Sequence, residues 1–423
     1  MTKAQMNSFK LKYGISDGSE WHRFSDEKNN IELDQYIKNL PFQKAKHRKY
    51  QSKKVLVDEN VFIKETKIST QNAFGKILDQ YAKNNTDFSR RILTTSPDVS
   101  VSTNLGPWIN RKGLFSRKDS SDTFKDRKIP SAQKWIFSSQ GQHIELGIAE
   151  MNLFLMLGAA GLSHEFFGER LFPIGTVYDP FISRGLDAMN YACYQDARFM
   201  IVGTPSGISL APEGGAHQSI ATPLIGISQP GLLSFEPAFA DELALIMNYG
   251  FNYLQDESGG SIYLRLTTRS IDQPMREIDN ELKNNIIKGA YWLKKPGPNP
   301  EVIIVYQGAV ASEAIESTAL LGEKFKNSGV LSITSSDKLF HEWKNQNITS
   351  HIELLLECVP RDTRIITVID GHPMTLSWIG SINGHKTIPL GVSSFGQTGK
   401  VEDLFKEFTI DSQSISNLGF SIN

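Results

Sequence analysis

Apolar and polar positions change rhythm several times along the chain, and each change marks an element. Residues 1 to about 70 are polar, with many Lys, Asn and Asp and no sustained periodicity. That predicts a short helical or irregular lead-in laid against a larger body. From Thr70 the apolar residues Ala73, Ile77, Leu78 and Tyr81 recur at helical spacing. Residues 91–95 read as a strand closing in the turn Ser96-Pro97-Asp98, and the end of such a strand is where an open α/β sheet receives ligands. The stretch 104–131, rich in Gly, Arg, Lys, Asp and Ser, is a long excursion of the functional or mobile kind.

The pattern then turns apolar. Met151, Leu153, Phe154, Leu155, Met156, Leu157, Ala159 and Ala160 make a run too apolar for a surface helix. A buried helix starting near Gly147, with Glu150 in its first turn, is expected. Strands at 171–177, 199–203 and 261–266 alternate with helices at 185–197 and 237–254. Near Asp272 the alternation stops, and a charged stretch to Pro300 reads as a linker. It resumes with a strand at 302–306, a helix at 312–326, strands at 330–334 and 364–369, and a closing helix at 401–408. The expected fold is α/β, with two doubly wound, mainly parallel-sheet domains at 71–275 and 285–423 behind a lead-in at 1–70.

Composition narrows the function classes. Among 423 residues, 45 Lys and Arg against 46 Asp and Glu leave a net charge of -1, so neither a nucleic-acid nor a membrane partner is expected. The densest basic cluster (Lys44, Lys46, Arg48, Lys49, Lys53 and Lys54) reads as a solvated linker. Cys193 and Cys358 lie far apart in apolar segments and read as buried thiols of a reducing compartment. The N-terminus has no signal-peptide pattern. The most apolar run, 148–162, is interrupted by Glu150 and Asn152 and is too short to span a bilayer, so a cytoplasmic location is expected.

Three groups of residues carry candidate chemistry. Glu145 and Glu150 bracket Ile148 beside a segment nearly free of other polar groups. An acid in a first helical turn is common because the helix dipole favours it, but so apolar a setting also favours a raised pKa and a proton-donor role. Tyr178 and Phe181 follow a strand in Val-Tyr-Asp-Pro-Phe, either to stack on a ring or to pack under their loop. His217 stands in Glu213-Gly-Gly-Ala-His-Gln218, a glycine-rich loop that lets backbone approach a ligand, although a lone histidine is more often structural.

Gln142-His-Ile-Glu-Leu-Gly-Ile-Ala-Glu150, Gly203-Thr-Pro-Ser-Gly207 and Ala211-Pro-Glu-Gly-Gly-Ala-His-Gln218, in this order, resemble the transketolase superfamily of thiamine diphosphate enzymes. The match is nearest to the homodimeric-type first component of the pyruvate dehydrogenase complex and covers only the later half of such an enzyme. The resemblance implies that Glu150 hydrogen-bonds the aminopyrimidine ring nitrogen and drives the proton transfer that activates the cofactor. It gives Ile148 the role of propping the bent cofactor, where composition alone allows an ordinary core isoleucine. It further implies that Tyr178 or Phe181 stacks on the pyrimidine, that Asp98 lies near the same ring, and that His217 bonds substrate or shuttles a proton. Glu213 stands where sugar-transferring relatives carry an aspartate, which favours a 2-oxo acid over a ketose phosphate.

The superfamily holds the diphosphate through Mg²⁺ with Gly-Asp-Gly followed by Asn-Asn, and no Gly-Asp-Gly occurs in this chain. Ser16-Asp17-Gly18 with Asn29-Asn30 lacks the first glycine and the spacing. The expectation is therefore a pyrimidine-binding and a C-terminal domain without the diphosphate-binding domain, completed by a homo-oligomer or by a chain that carries it. The implied activity is thiamine diphosphate-dependent decarboxylation of a 2-oxo acid such as pyruvate, with acyl transfer to a lipoyl acyltransferase component. The rivals are transketolase and a non-catalytic remnant that pairs with a full-length paralogue.

Overall fold

The computed structural model describes residues 2–21, 30–40, 43, 52–59, 61–118, 126–130, 135–345 and 347–421. Lys44, Lys46, Arg48, Lys49 and Asn29, and with them most of the basic cluster, lie outside the described residues, as does part of the 104–131 stretch.

Strand β1 (Lys67–Ile68) pairs antiparallel with β10 (Ile271–Asp272), tying the start of the first body to its end. Between them lies a sheet of β2 (Ile92–Ser96), β3 (Leu114–Phe115), β4 (Phe137–Ser138), β5 (His143–Glu145), β6 (Phe172–Val177), β7 (Met200–Gly203), β8 (Leu232–Phe235) and β9 (Ser261–Arg265). Its spatial order is β4-β3-β5-β2-β6-β7-β9-β8, and every pairing is parallel. Central strands such as β6 are buried along their whole length, which is why they read as unbroken apolar runs. The Thr70–Asn84 helix is capped by Ser69, whose hydroxyl accepts a bond from the Asn72 amide, and it buries Ala73, Phe74, Ile77, Leu78 and Tyr81.

The second sheet contains β11 (Ala290–Lys294), β12 (Val302–Gln307), β13 (Gly329–Ile333), β14 (Arg364–Ile369) and β15 (Thr387–Leu390) in the order β11-β13-β12-β14-β15. Only β11 is antiparallel to its neighbour. Ile208, Ala211, Ala238 and Phe239 of the first body share a core with Val302, Ile304, Tyr306 and Val310, so the two are packed together.

Several expectations need correction. The linker read up to Pro300 holds the Asn280–Lys288 helix and β11; the helix buries only Ile286, too little to show a core stripe. β8 does not stand out in the sequence, because Pro230-Gly231 and Pro237 leave so short an apolar run between breakers. The 104–131 stretch contains the Gly106–Lys112 helix and β3. The chain continues past 401–408 into the Ser412–Phe420 helix. Cys358 is exposed, whereas Cys193 is buried and its thiol pushed up to about 12 by that burial.

The main correction concerns the Glu150–Gly161 helix. It buries Leu153, Phe154 and Leu157 but leaves Met151, Asn152, Leu155 and Ala159 exposed, so an apolar face looks outward. Leu155 is 57% exposed, and Tyr191 and Tyr194 on the adjacent Leu186–Tyr194 helix are exposed as well. No described helix is long and apolar enough to cross a membrane.

Candidate active site

Strand β6 delivers the chain to Tyr178 and a 3-10 segment, Asp179–Gly185, at the C-terminal edge of the sheet. Asp179 turns inward and is fully buried. It accepts hydrogen bonds from Arg265 Nε at 3.0 Å and Thr222 Oγ1 at 2.5 Å, and from the hydroxyls of Ser219 and Tyr263. A Cβ on Gly203 would lie 2.2 Å from this carboxylate, so only glycine admits Asp179 here. Arg265 also donates to Glu236, which receives Gln307 Nε2 from the second sheet at 2.8 Å.

Just past the end of β14, Asp370 accepts the Ile208 amide at 3.0 Å, beside Gly207 with φ +57. Burial pushes Glu236 up to about 7 against the pull of Arg265 and Gln307, and pushes Asp370 up to about 6. Burial would weaken Arg265 as a cation, but Glu236, Asp179 and Asp370 together hold it protonated.

At the outer side of the same segment the side chains are looser. The Tyr178 and Phe181 rings stack with centroids 5.9 Å apart and planes 10° from parallel. His217 meets Phe181 edge-on at 5.5 Å, and its buried Nδ1 has no hydrogen-bond partner. Glu150, 9% exposed at the start of its helix, accepts a bond from Arg184 Nη1 at 2.5 Å. The Arg184 guanidinium carbon lies 3.8 Å from the Phe181 ring centroid.

The His217 loop is braced from the second sheet's side. Gln218 Nε2 donates to the Gln397 carbonyl at 2.9 Å, and a Cβ on Gly215 would lie 2.0 Å from the Gly396 carbonyl. Ser219, two residues after His217, bonds Asp179 and so ties this loop to the aromatic one.

The structure therefore brings Glu150, Tyr178, Phe181 and His217 together. No hydrogen bond or ion pair among the described residues joins Asp98 or Glu213 to them; both are exposed, and Asp98 has φ +65. Ile148 is 80% exposed, which excludes an ordinary core isoleucine in this chain. Glu145 anchors the Asp98 turn, accepting the Asp98 amide at 2.7 Å and the Ser100 hydroxyl at 2.5 Å. Burial would raise its carboxyl, but bonds from His143, Ser100 and that amide hold it below the ordinary range, contrary to the raised value expected of an acid there.

The apolar surroundings expected for Glu150 contain a cation, Arg184. Reading the sequence missed Arg184 and the Asp179, Arg265, Glu236 and Asp370 cluster. The available signal was Arg265, a charge in the apolar strand Ser261-Ile-Tyr-Leu-Arg265 that demands buried acids.

A carboxylate, a stacked aromatic pair and an unpartnered imidazole nitrogen suit a planar aminopyrimidine once Arg184 is displaced. Among the described residues there is no group of three or more His, Cys, Asp or Glu able to hold a metal ion.

The family model of the pyruvate dehydrogenase E1 component middle domain matches residues 51–274, and that of the transketolase-like TK C-terminal domain matches residues 289–411. The pyruvate dehydrogenase E1 component of Escherichia coli (strain K12) is 24% identical over 365 residues, covering 82% of this chain and 40% of that protein. The one from Mycolicibacterium smegmatis is 28% identical over 260 residues, covering 60% and 28%. This chain thus spans well under half the length of the curated relatives it matches.

Among solved structures, transketolase from Leishmania mexicana superposes with a TM-score of 0.67 at 17% identity, over 86% of this chain and 46% of that one. A split-gene transketolase described as an inactive beta4 tetramer gives 0.57 at 19% identity, over 84% of this chain and 98% of that one. These likenesses show the shared fold.

Proposed function

The chain belongs to the pyruvate dehydrogenase E1 family of thiamine diphosphate-dependent enzymes, and from that premise we propose that it supplies the pyrimidine-binding half of a cytoplasmic 2-oxo acid decarboxylase. The substrate is pyruvate or a close relative, and the acyl group passes to a lipoyl acyltransferase component. The pyrimidine-binding domain is 71–275 and the C-terminal domain 285–423. The observation that carries the reading is the meeting of a buried Glu150 carboxylate, a stacked Tyr178–Phe181 pair and the unpartnered His217 Nδ1.

Bound thiamine diphosphate supplies the nucleophilic carbon and the electron sink for decarboxylation. Glu150 holds a proton at the aminopyrimidine nitrogen, in a setting where little water competes. Tyr178 and Phe181 offer ring faces, Ile148 props the cofactor and Asp98 borders the ring. His217 Nδ1 bonds the substrate carboxylate or hydroxyl, and Glu213 disfavours a ketose. Mg²⁺ and the diphosphate are held by a diphosphate-binding domain on another chain, seated on the exposed apolar face around Met151 and Leu155.

A second reading rests on that same face. A chain that assembles through it without catalysis would parallel the split-gene neighbour described as inactive. Both readings are tested by mixing this chain with one carrying the Gly-Asp-Gly domain, Mg²⁺ and thiamine diphosphate. Pyruvate-dependent CO₂ release without xylulose 5-phosphate turnover is expected. Turnover of xylulose 5-phosphate alone makes it a transketolase, and assembly with neither activity favours the second reading.

A further inference from the structure

Arg184 has no role in the reading above, yet it lies at its centre. Its guanidinium is planar, carries N–H donors in its plane, covers the Phe181 ring at 3.8 Å and donates to Glu150 at 2.5 Å. A ring stacked on the same face of Phe181 and sharing a proton with Glu150 Oε1 would meet the Arg184 guanidinium at both places, so there the two occupants exclude each other.

We propose that Arg184 is an internal competitor for the aminopyrimidine, filling the slot between Phe181 and Glu150 until a planar nitrogen heterocycle displaces it. The proposal rests on the pyrimidine-binding reading for the identity of the displacing ring, but not for the slot itself. Displacement is sterically easy, because the Arg184 side chain is 52% exposed while Glu150 is almost covered. Arg184 also lies at the far end of the 3-10 segment, just before its last residue Gly185, and no hydrogen bond among the described residues joins it to Asp179. Its departure therefore leaves that network intact. What holds it is one ion pair, half exposed on the arginine side, and one cation–π contact, a combination that lowers apparent affinity for a competitor by about 5–30-fold.

The test uses the full chain, wild type and Arg184→Ala, with two probes that need no diphosphate site. Methylguanidinium, titrated at millimolar concentration and followed by ligand-observed NMR, should bind Arg184→Ala but not wild type, and Glu150→Gln added to Arg184→Ala should abolish that binding. Thiamine should bind Arg184→Ala about 5–30-fold more tightly than wild type. Arg184→Lys, which keeps the charge but not the plane, should lie between.

Thiamine binding equally to wild type and Arg184→Ala overturns the competitor role and leaves the cofactor reading standing. Methylguanidinium binding without thiamine binding upholds the slot and overturns the cofactor reading. Binding of neither probe to Arg184→Ala overturns the slot.

Discussion

Two arginine–carboxylate clusters flank one seven-residue segment, Asp179–Gly185, and they are built on opposite terms. At its start Asp179 points inward and meets Arg265, Ser219, Thr222 and Tyr263, with Glu236 and Asp370 close by, all fully buried or nearly so. At its end Arg184 points outward and holds Glu150 by a single ion pair. The inner cluster links β6, β9 and the loop after His217 to the second sheet through Gln307 and Asp370, so its charges fix the frame. The outer one is a single pair with a half-exposed arginine, which a ligand can replace. Burial and the number of partners, not charge, separate a structural ion cluster from an exchangeable one.

Breaking the inner cluster should have the largest effect. Arg265→Leu strands Asp179 and Glu236 without their cation, and losing one partner of a buried pair costs about 3–5 kcal/mol. A lowered urea midpoint at unchanged slope would show it. A loss below about 1 kcal/mol would make the two clusters energetically alike.

The pH dependence should sharpen the contrast. Below pH 4.5 Glu236 is protonated in folded and unfolded chains alike. Between 4.5 and about 7 the folded chain keeps a proton that the unfolded chain releases, so stability falls as pH rises and the loss is complete above about 7. Relative to Glu236→Gln, wild type should lose on the order of 1–3 kcal/mol across that window. Thermal unfolding of both proteins at pH 5 and 8 reads the difference, and a wild type that gains stability instead would reverse the sign argued here.

Arg184→Ala should change stability by less than about 1 kcal/mol, as expected of a half-exposed pair, whatever it does to ligand affinity. The smallest effect on the isolated fold belongs to Leu155→Ser, within about 0.5 kcal/mol. Sedimentation should nonetheless show weakened self-association or partner binding, because Leu155 lies on the uncovered apolar face.

How much of this was legible follows from where the information lies. Alternating apolar runs revealed β2, β6, β7, β9, β12, β13 and β14, because strands buried on both faces need no partner to be recognised. Glu150, Tyr178, Phe181 and His217 each sat in a local pattern odd enough to single out. The inner cluster could not be read that way. Asp179, Glu236, Arg265 and Asp370 meet only because β6, β8, β9 and β14 end together, and no local window contains that order. Arg184 follows Phe181 by three residues, but only the turn of the 3-10 segment lays it across the ring. The outward face of the Glu150–Gly161 helix misled for the opposite reason, since an apolar run says that a surface is to be covered but not by what.

The central claim is that Glu150 holds the proton that makes the cofactor reactive. In the enzyme assembled with a chain carrying the diphosphate-binding domain, Glu150→Gln should lower pyruvate-dependent turnover by about 10²–10⁴-fold. The unfolding midpoint should stay close to wild type. Turnover near wild type in that variant, with cofactor bound, would contradict the claim.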